Sequence, residues 1–227
     1  MRVAAVLTHC TNALIAVAVA ALTMGGVAPR SHAQGNVEGS LKLPPSKKSA
    51  VTSQRYANIA GKVGVPKGQA GVVWVEGDFN GVTNTTPAVV EMGQRNFQFE
   101  VYALPVRVGT KVVFPNHDDA YHNVFSYSKA KRFDLGRYLK DESPATVLFD
   151  KPGVVKLYCE IHEHMNAVIV VVDSPFFTTT DEEGNFTLKG IPAGNYTLKA
   201  WLGKKKLAEK SVTLKDGETL TAGVLGQ

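Results

Sequence analysis

Short apolar runs separated by Gly, Pro, Asn and Asp recur along the chain from residue 56 onward. Residues 72–75 (VVWV) are continuously apolar, and residues 97–102 (FQFEVY) alternate with a period of two. Both patterns are typical of β-strands. Further apolar runs predict strands at 111–114, 123–125, 154–158 and 167–172. Residues 129–142 are the one segment for which we expect a short helical turn or a long loop. The spacing of the runs predicts an all-β fold built as a β-sandwich.

The sequence pattern changes near residue 173. The tail, residues 174–227, has turn signals at Gly184-Asn185, Gly194-Asn195 and Asp216-Gly217, and the last of these is a hairpin signal. It predicts a second, smaller β module. A module of about 50 residues is marginal for a core of its own, so we expect it to pack on the first sandwich.

The N-terminal segment has the layout of a secretory signal peptide. Arg2 precedes ten apolar residues at 13–22, and Ser31-His32-Ala33 supplies the small outer residues of a cleavage site. We predict cleavage after Ala33 and a periplasmic or secreted protein. A retained membrane anchor is the alternative, but the apolar run is short of the about 20 residues that a spanning helix needs. Residues 34–54, rich in Gly, Ser, Pro and Lys, predict a flexible leader.

Composition and charge exclude some classes of protein. Hydrophobic residues make up 44% of the 227 residues and charged residues 20%, which is typical of globular domains and not of disordered chains. The formal net charge is +5, and the basic residues are scattered. A nucleic-acid-binding protein usually concentrates its basic residues, so no nucleic-acid partner is predicted.

The cysteine count changes after export. The chain has two cysteines, and Cys10 would leave with the signal peptide, so the mature chain would keep Cys159 alone. An unpaired thiol outside the cytosol is exposed to oxidation. Cys159 therefore needs burial, a partner chain or a metal.

The stretch around Cys159 carries the candidate chemistry. Cys159, His162 and Met165 follow one another at intervals of three residues, between two apolar strands. Thiolate and thioether ligands favour Cu(I), and imidazole accepts Cu(II), so the set suits copper. A trigonal site with two His, one Cys and a weak axial Met needs one more imidazole. His122, at the start of a predicted strand, can supply it.

These residues resemble the cupredoxins, most closely the amicyanin-like and plastocyanin-like blue copper proteins. The resemblance rests on the Cys159-x-x-His162-x-x-Met165 motif with its valine-rich last strand, and on the segments 112–116 (VVFPN) and 122–125 (HNVF). It covers residues 59–200. Within the family, the phrases 114–138 and 149–155 and the tail resemble a subgroup of exported, methylamine-utilisation-like proteins with a carboxypeptidase-regulatory-like β module.

The resemblance implies a Greek-key cupredoxin sandwich over residues 55–173, followed by the small module at 174–227. It implies one copper ion cycling between Cu(I) and Cu(II). The ligands it implies are His122 Nδ1, Cys159 Sγ, His162 Nδ1 and Met165 Sδ. Asn123 would donate a backbone N–H to the sulfur of Cys159. Asn116 would brace the ligand loop, which is the turn that carries Cys159, His162 and Met165.

Two histidines and the function itself remain open. His164 lies within the ligand loop and could compete with Met165 as fourth ligand, and His117 lies five residues before His122. We expect both to be surface or supporting residues.

The leading hypothesis is an exported carrier that exchanges one electron at a time with partner redox proteins and has no stable membrane anchor after cleavage. The alternative is a protein that binds, stores or delivers copper without a redox circuit.

An enzyme is not predicted, and no residue is assigned a catalytic role. A multicopper oxidase or reductase needs further His clusters, which the sequence lacks outside the ligand loop. A nucleophilic Cys159–His162 pair would need a third, orienting group.

Overall fold

All regular structure in the described part of the chain is β-strand. The computed structural model describes residues 33–43, 63, 71–79, 82, 89–142, 146–203 and 207–226. The all-β fold class predicted from the sequence is confirmed over these ranges, and no helix in them is long and apolar enough to cross a membrane. Apart from Ala33, the predicted signal peptide lies outside the described residues.

The strands, in chain order, are β1 Gly35–Leu41, β2 Val72–Glu76, β3 Val89–Glu91, β4 Gln94–Arg95, β5 Gln98–Phe99, β6 Ala103–Arg107, β7 Thr110–Val113, β8 His122–Tyr127, β9 Arg132–Tyr138, β10 Thr146–Phe149, β11 Gly153–Tyr158, β12 Asn166–Val172, β13 Phe177–Thr179, β14 Asn185–Ile191, β15 Gly194–Trp201, β16 Leu207–Leu214 and β17 Thr219–Leu225.

A first sandwich is built from the middle of the chain. Its larger sheet has the order β6-β12-β11-β8-β9, and its smaller sheet has the order β10-β7-β3. Apolar side chains of both sheets meet in one core that includes Val112, Phe149, Val155 and Ile169. Within the larger sheet, β12 pairs antiparallel with β11 and parallel with β6.

A second sandwich takes strands from both ends of the described chain. One of its sheets has the order β14-β1-β17, and the other has the order β13-β2-β15-β16. Their inner faces share a core that includes Val37, Leu41, Val75, Leu198 and Leu214. The first sandwich is thus inserted between β2 and β13 of the second.

The predicted domain boundaries are therefore wrong in two places. Gly35–Leu41, placed in a flexible leader over 34–54, is strand β1 at the centre of a sheet. Val72–Glu76, placed in the first domain, is strand β2 of the second sandwich. The physical reason is size, because residues 174–227 alone are too few to enclose a core and the two N-terminal strands complete it. Residues 44–54 of the predicted leader lie outside the described residues.

Three local expectations also differ from the structure. The helical turn or loop expected over 129–142 contains strand β9, in which Phe133 and Leu135 alternate inward against the first core. The strand expected over 97–102 begins as a turn at Asn96–Phe97 and continues only as β5. Asp216-Gly217 forms a turn but no hairpin, because β16 pairs with β15 and β17 pairs with β1. In the first two cases the segment pairs with the strand that precedes it, β9 with β8 and β5 with β4, whereas in the third β17 pairs with the distant strand β1.

Strand β1 yields a direct test of the second sandwich. Leu41 is 3% exposed in its core, so Leu41→Ala should lower the free energy of unfolding by about 2–5 kcal/mol. Leu207→Ala is the matched control, because Leu207 is 54% exposed and its truncation should change stability by about 0.5 kcal/mol or less. Urea unfolding measures both. Equal stability of the two variants would show that residues 35–41 are not part of the core.

Candidate metal centre

The ligand loop is the connection between β11 and β12. The two strands pair in register from Gly153↔Val171 to Tyr158↔Asn166, so residues 159–165 cross from one strand to its neighbour. The backbone N–H of Met165 donates to the carbonyl of His162 at 2.8 Å and tightens the loop. A short loop held at both ends by paired core strands keeps its side chains in fixed positions.

His122 reaches the same place from the neighbouring strand. It opens β8, which pairs with β11 through Phe125↔Tyr158 and with β9 through His122↔Tyr138. Because the two strands are antiparallel, the start of β8 lies beside the end of β11, where the ligand loop begins. A residue 37 positions upstream of Cys159 meets it only because the sheet brings the two strand ends together.

Three donor atoms converge at this point. A nitrogen of His122, a nitrogen of His162 and the sulfur of Cys159 lie within 4.8 Å of one another. The two Nδ1 atoms are 3.2 Å apart, and Cys159 Sγ lies 3.9 Å from His162 Nδ1. The three side chains are buried, with exposed fractions of 0%, 3% and 8% for His122, Cys159 and His162.

These separations fit a single metal ion. Imidazole nitrogens bind such an ion at about 2.0–2.1 Å and a thiolate sulfur at about 2.3 Å. Two donors on one ion then lie about 3–4 Å apart, and the separations of His162 Nδ1 from the other two donors, 3.2 Å and 3.9 Å, fall in this range. Two imidazoles and one thiolate are also the donor set of trigonal copper sites with a weak axial ligand. The residues present therefore fit copper.

The second nitrogen of His122 is held by a carboxylate. His122 Nε2 lies 2.8 Å from Asp118 Oδ2. The ionised carboxylate accepts hydrogen bonds, so Nε2 carries a proton and Nδ1 is the nitrogen that faces the centre; in the neutral form of His122, Nδ1 then has the lone pair that a metal needs. A carboxylate behind an imidazole in this way orients a metal ligand and raises its basicity.

The surroundings favour the thiolate form of Cys159. Burial raises the pKa of the thiol, but hydrogen bonds with His122, His162 and the backbone N–H groups of Asn123 and His162 outweigh it, lowering the pKa from 9.0 to about 6. For His122, burial lowers the pKa, and hydrogen bonds to Asp118 and Cys159 more than compensate and raise it. The thiolate is the form that binds metal and is the major form at neutral pH.

Met165 lies in the same core as Cys159. It is fully buried and belongs to the apolar cluster of the first sandwich. Its assignment as fourth ligand stays a prediction.

His164 and His117 occupy different positions from the converging donors. His164 Nε2 lies 3.0 Å from the carbonyl oxygen of Phe97 and donates to it, and burial lowers the pKa of this histidine. His117 is exposed, and its backbone N–H donates to the Gln94 carbonyl. Neither belongs to the group of donors that lies within 4.8 Å among the described residues.

Two asparagines support the centre. Asn123 does so as the family resemblance implies, whereas the side-chain hydrogen bonds of Asn116 lie in the loop before β8 and in β9 and not in the ligand loop. The Asn116 side chain donates to the carbonyls of Ala120 and Tyr138 and accepts from the Asp118 N–H at 2.9 Å, bracing the loop before β8. The backbone N–H of Asn123 bonds to Cys159, and its side-chain Oδ1 accepts from the Glu160 N–H at 3.2 Å. Asn123 thereby ties the start of the ligand loop to β8.

Two further residues of the site, Asp118 and Phe97, were not predicted from the sequence. The Phe97 ring lies edge-on to the imidazoles of both His162 and His122, with ring centroids 5.1 Å and 5.9 Å away. It reaches them from the β4–β5 turn, where Asn96 and Phe97 have φ of 54° and 57°. An aromatic residue in this left-handed region costs on the order of 1–3 kcal/mol. The Asn at 96 is a signal for such a turn, but the Gly that usually follows it is missing.

Comparison with known proteins gives partial similarities. Residues 164–224 match the model of the carboxypeptidase regulatory-like domain, from the end of the ligand loop to β17. Amicyanin from Paracoccus versutus is 20% identical over 37% of this chain and 81% of its own, with a TM-score of 0.34. The Cu-containing nitrite reductase from Thermus scotoductus SA-01 is 26% identical over 40% of this chain and 23% of its own, also with a TM-score of 0.34. No curated protein gives a significant match.

Titration of the metal-free protein tests the electrostatics of the site. The Cys159 thiolate should form with a midpoint near pH 6, because the site lowers its pKa from 9.0. Since the folded pKa lies below the unfolded value, this group contributes its full stability above pH 9.0, and the contribution is lost as pH falls through about 6. Ultraviolet thiolate absorbance, read as wild type minus Cys159→Ser, measures the midpoint. A midpoint at the ordinary value would contradict the description of the site.

Proposed function

We propose that this chain is a blue copper protein of the cupredoxin type, which holds one copper ion and exchanges single electrons with partner redox proteins. The observation that carries the proposal is the convergence of two buried imidazole nitrogens and one buried thiolate sulfur within 4.8 Å. The donor set comprises His122, Cys159 and His162, and Met165 is the proposed axial ligand. Bound copper would supply the one-electron step between Cu(I) and Cu(II).

The chain's own residues account for the proposed chemistry. Cys159 is a thiolate at neutral pH, so metal binding does not require a costly deprotonation. The donors are fixed by β8, β11 and β12, and therefore little needs to move when the charge of the ion changes. Burial excludes water from the thiolate, which protects it from oxidation.

The same burial favours electron transfer over copper delivery. A delivery protein must release its ion readily, but His122, Cys159 and His162 are all less than a tenth exposed. His164, the additional histidine of the ligand loop, donates to the Phe97 carbonyl. The proposal also places the mature protein outside the cytoplasm, after cleavage behind Ala33, on the strength of the sequence pattern alone.

Copper should stabilise the fold through Cys159. Metal that binds the native state alone adds about 4 kcal/mol of stability at a free concentration 1,000 times Kd. For a chain of this size, that raises Tm by roughly 10 °C. Cys159→Ser should abolish the rise, and the matched control His164→Ala should retain it. Thermal unfolding with and without copper measures both.

Either of two results would overturn the proposed ligand set. A full copper-dependent shift in Cys159→Ser would exclude Cys159 as a ligand. Loss of the shift in His164→Ala would bring His164 into the coordination sphere, in the place assigned to Met165.

A further inference from the structure

Asp118 receives three hydrogen bonds, two from the β4–β5 turn and one from His122. The backbone N–H of Asn96 donates to Oδ1 at 2.7 Å, and that of Phe97 donates to Oδ2 at 2.9 Å. His122 Nε2 lies 2.8 Å from the same Oδ2. The carboxylate is 11% exposed. One largely covered acidic side chain thus links a candidate metal ligand to the β4–β5 turn.

The turn that Asp118 holds has an unfavourable backbone. Arg95 pairs with Gln98, which leaves Asn96 and Phe97 as a two-residue hairpin loop, and both have positive φ. Such loops favour Asn followed by Gly, so the Phe is unexpected at the second position. Strained residues of this kind persist where the surrounding structure holds them and cluster at functional sites.

The strained turn places Phe97 against the candidate metal ligands. Its ring makes T-shaped contacts with both candidate histidine ligands, and its carbonyl accepts a hydrogen bond from His164 Nε2. The ring therefore covers the imidazoles of His122 and His162. The hydrogen bonds from the turn to Asp118 hold the ring there.

We propose that Asp118 is the positioning residue of this centre, because its carboxylate both fixes the Nε2–H tautomer of His122 and holds Phe97 as a cover over the two imidazoles. The first role aims Nδ1 of His122 at His162 and Cys159. The second keeps water and small reagents from the thiolate. The measurement on the copper-loaded protein, described below, rests on the proposed function, whereas the measurements on the metal-free protein do not.

The neighbouring residue supplies the matched control. Asp119 carries the same charge but is 85% exposed and pairs with Lys140 on the surface. Asp118→Asn keeps the size of the side chain and removes one of the two carboxylate oxygens that accept the three hydrogen bonds. Asp119→Asn makes the same chemical change one residue away. A difference between these variants therefore reports the position of Asp118 and not the loss of a charge.

Three measurements test the proposal. In the metal-free protein, nitrogen NMR at a pH at which His122 is neutral gives its tautomer, and iodoacetamide alkylation of the folded chain gives the accessibility of Cys159. In the copper-loaded protein, loss of the ion to a chelator gives affinity. We expect Asp118→Asn to lose the single Nε2–H tautomer, to alkylate faster and to bind copper about 10- to 100-fold more weakly. Asp119→Asn should match the wild type in all three.

A second pair of variants distinguishes the loss of the Phe97 ring from a general loss of folding. Phe97→Gly relieves the backbone strain and removes the ring, and should expose Cys159 to alkylation even if Asp118→Asn fails to fold. Asn96→Gly relieves strain in the same turn and keeps the ring, and should leave the alkylation rate unchanged. If Cys159 in Phe97→Gly is alkylated at the wild-type rate, Phe97 does not cover the site. If the His122 tautomer is unchanged in Asp118→Asn, Asp118 does not position His122. Failure of the wild type to bind copper would overturn the proposed function alone.

Discussion

Burial of strand β12 on both faces is the constraint on which the site depends. Its side chains at 167, 169 and 171 lie in the core of the first sandwich, and those at 168, 170 and 172 pack against Trp74 and Trp201 of the second. A shift of one residue would exchange the two faces, so the register of β12 is strongly specified. Its pairing with β11 then fixes both ends of the ligand loop. The two sandwiches thus stabilise the candidate centre together.

A fixed loop makes a buried polar site possible. His122, Asn116 and Asn123 are almost fully buried, and burial of such groups is costly unless their hydrogen bonds are made. Here Asn116 braces the loop before β8, Asp118 holds His122, and Asn123 holds the start of the ligand loop. Loss of the Asp118 carboxylate would leave the buried Nε2–H of His122 without this acceptor, which is the kind of change that a buried polar site tolerates least.

The order of apolar and polar residues along the chain predicted those parts of the fold that depend on residues close in sequence. The apolar run at 167–172 predicted β12, and the spacing of Cys159, His162 and Met165 predicted a candidate metal loop at its start. The convergence of His122 with Cys159 and His162 agrees with that prediction. The role of these residues as copper ligands remains a proposal.

Contacts between distant segments could not be read from the sequence. Residues 35–41 have a composition typical of a leader, and only pairing with β14 and β17 makes them a strand. Phe97 reads as part of an alternating strand, but its turn is held by a carboxylate 21 residues away. Asp118 precedes another acidic residue and looks like a solvated surface charge. Only the folded structure separates the largely covered Asp118 from the exposed Asp119.

The visible absorption spectrum of the Cu(II)-loaded mature protein tests the central claim most directly. A thiolate and two imidazoles on one ion predict an intense thiolate-to-Cu(II) charge-transfer band, and Cys159→Ser should lack it. Weak bands of equal intensity in both proteins would show that copper binds elsewhere. That result would contradict a centre built from His122, Cys159 and His162.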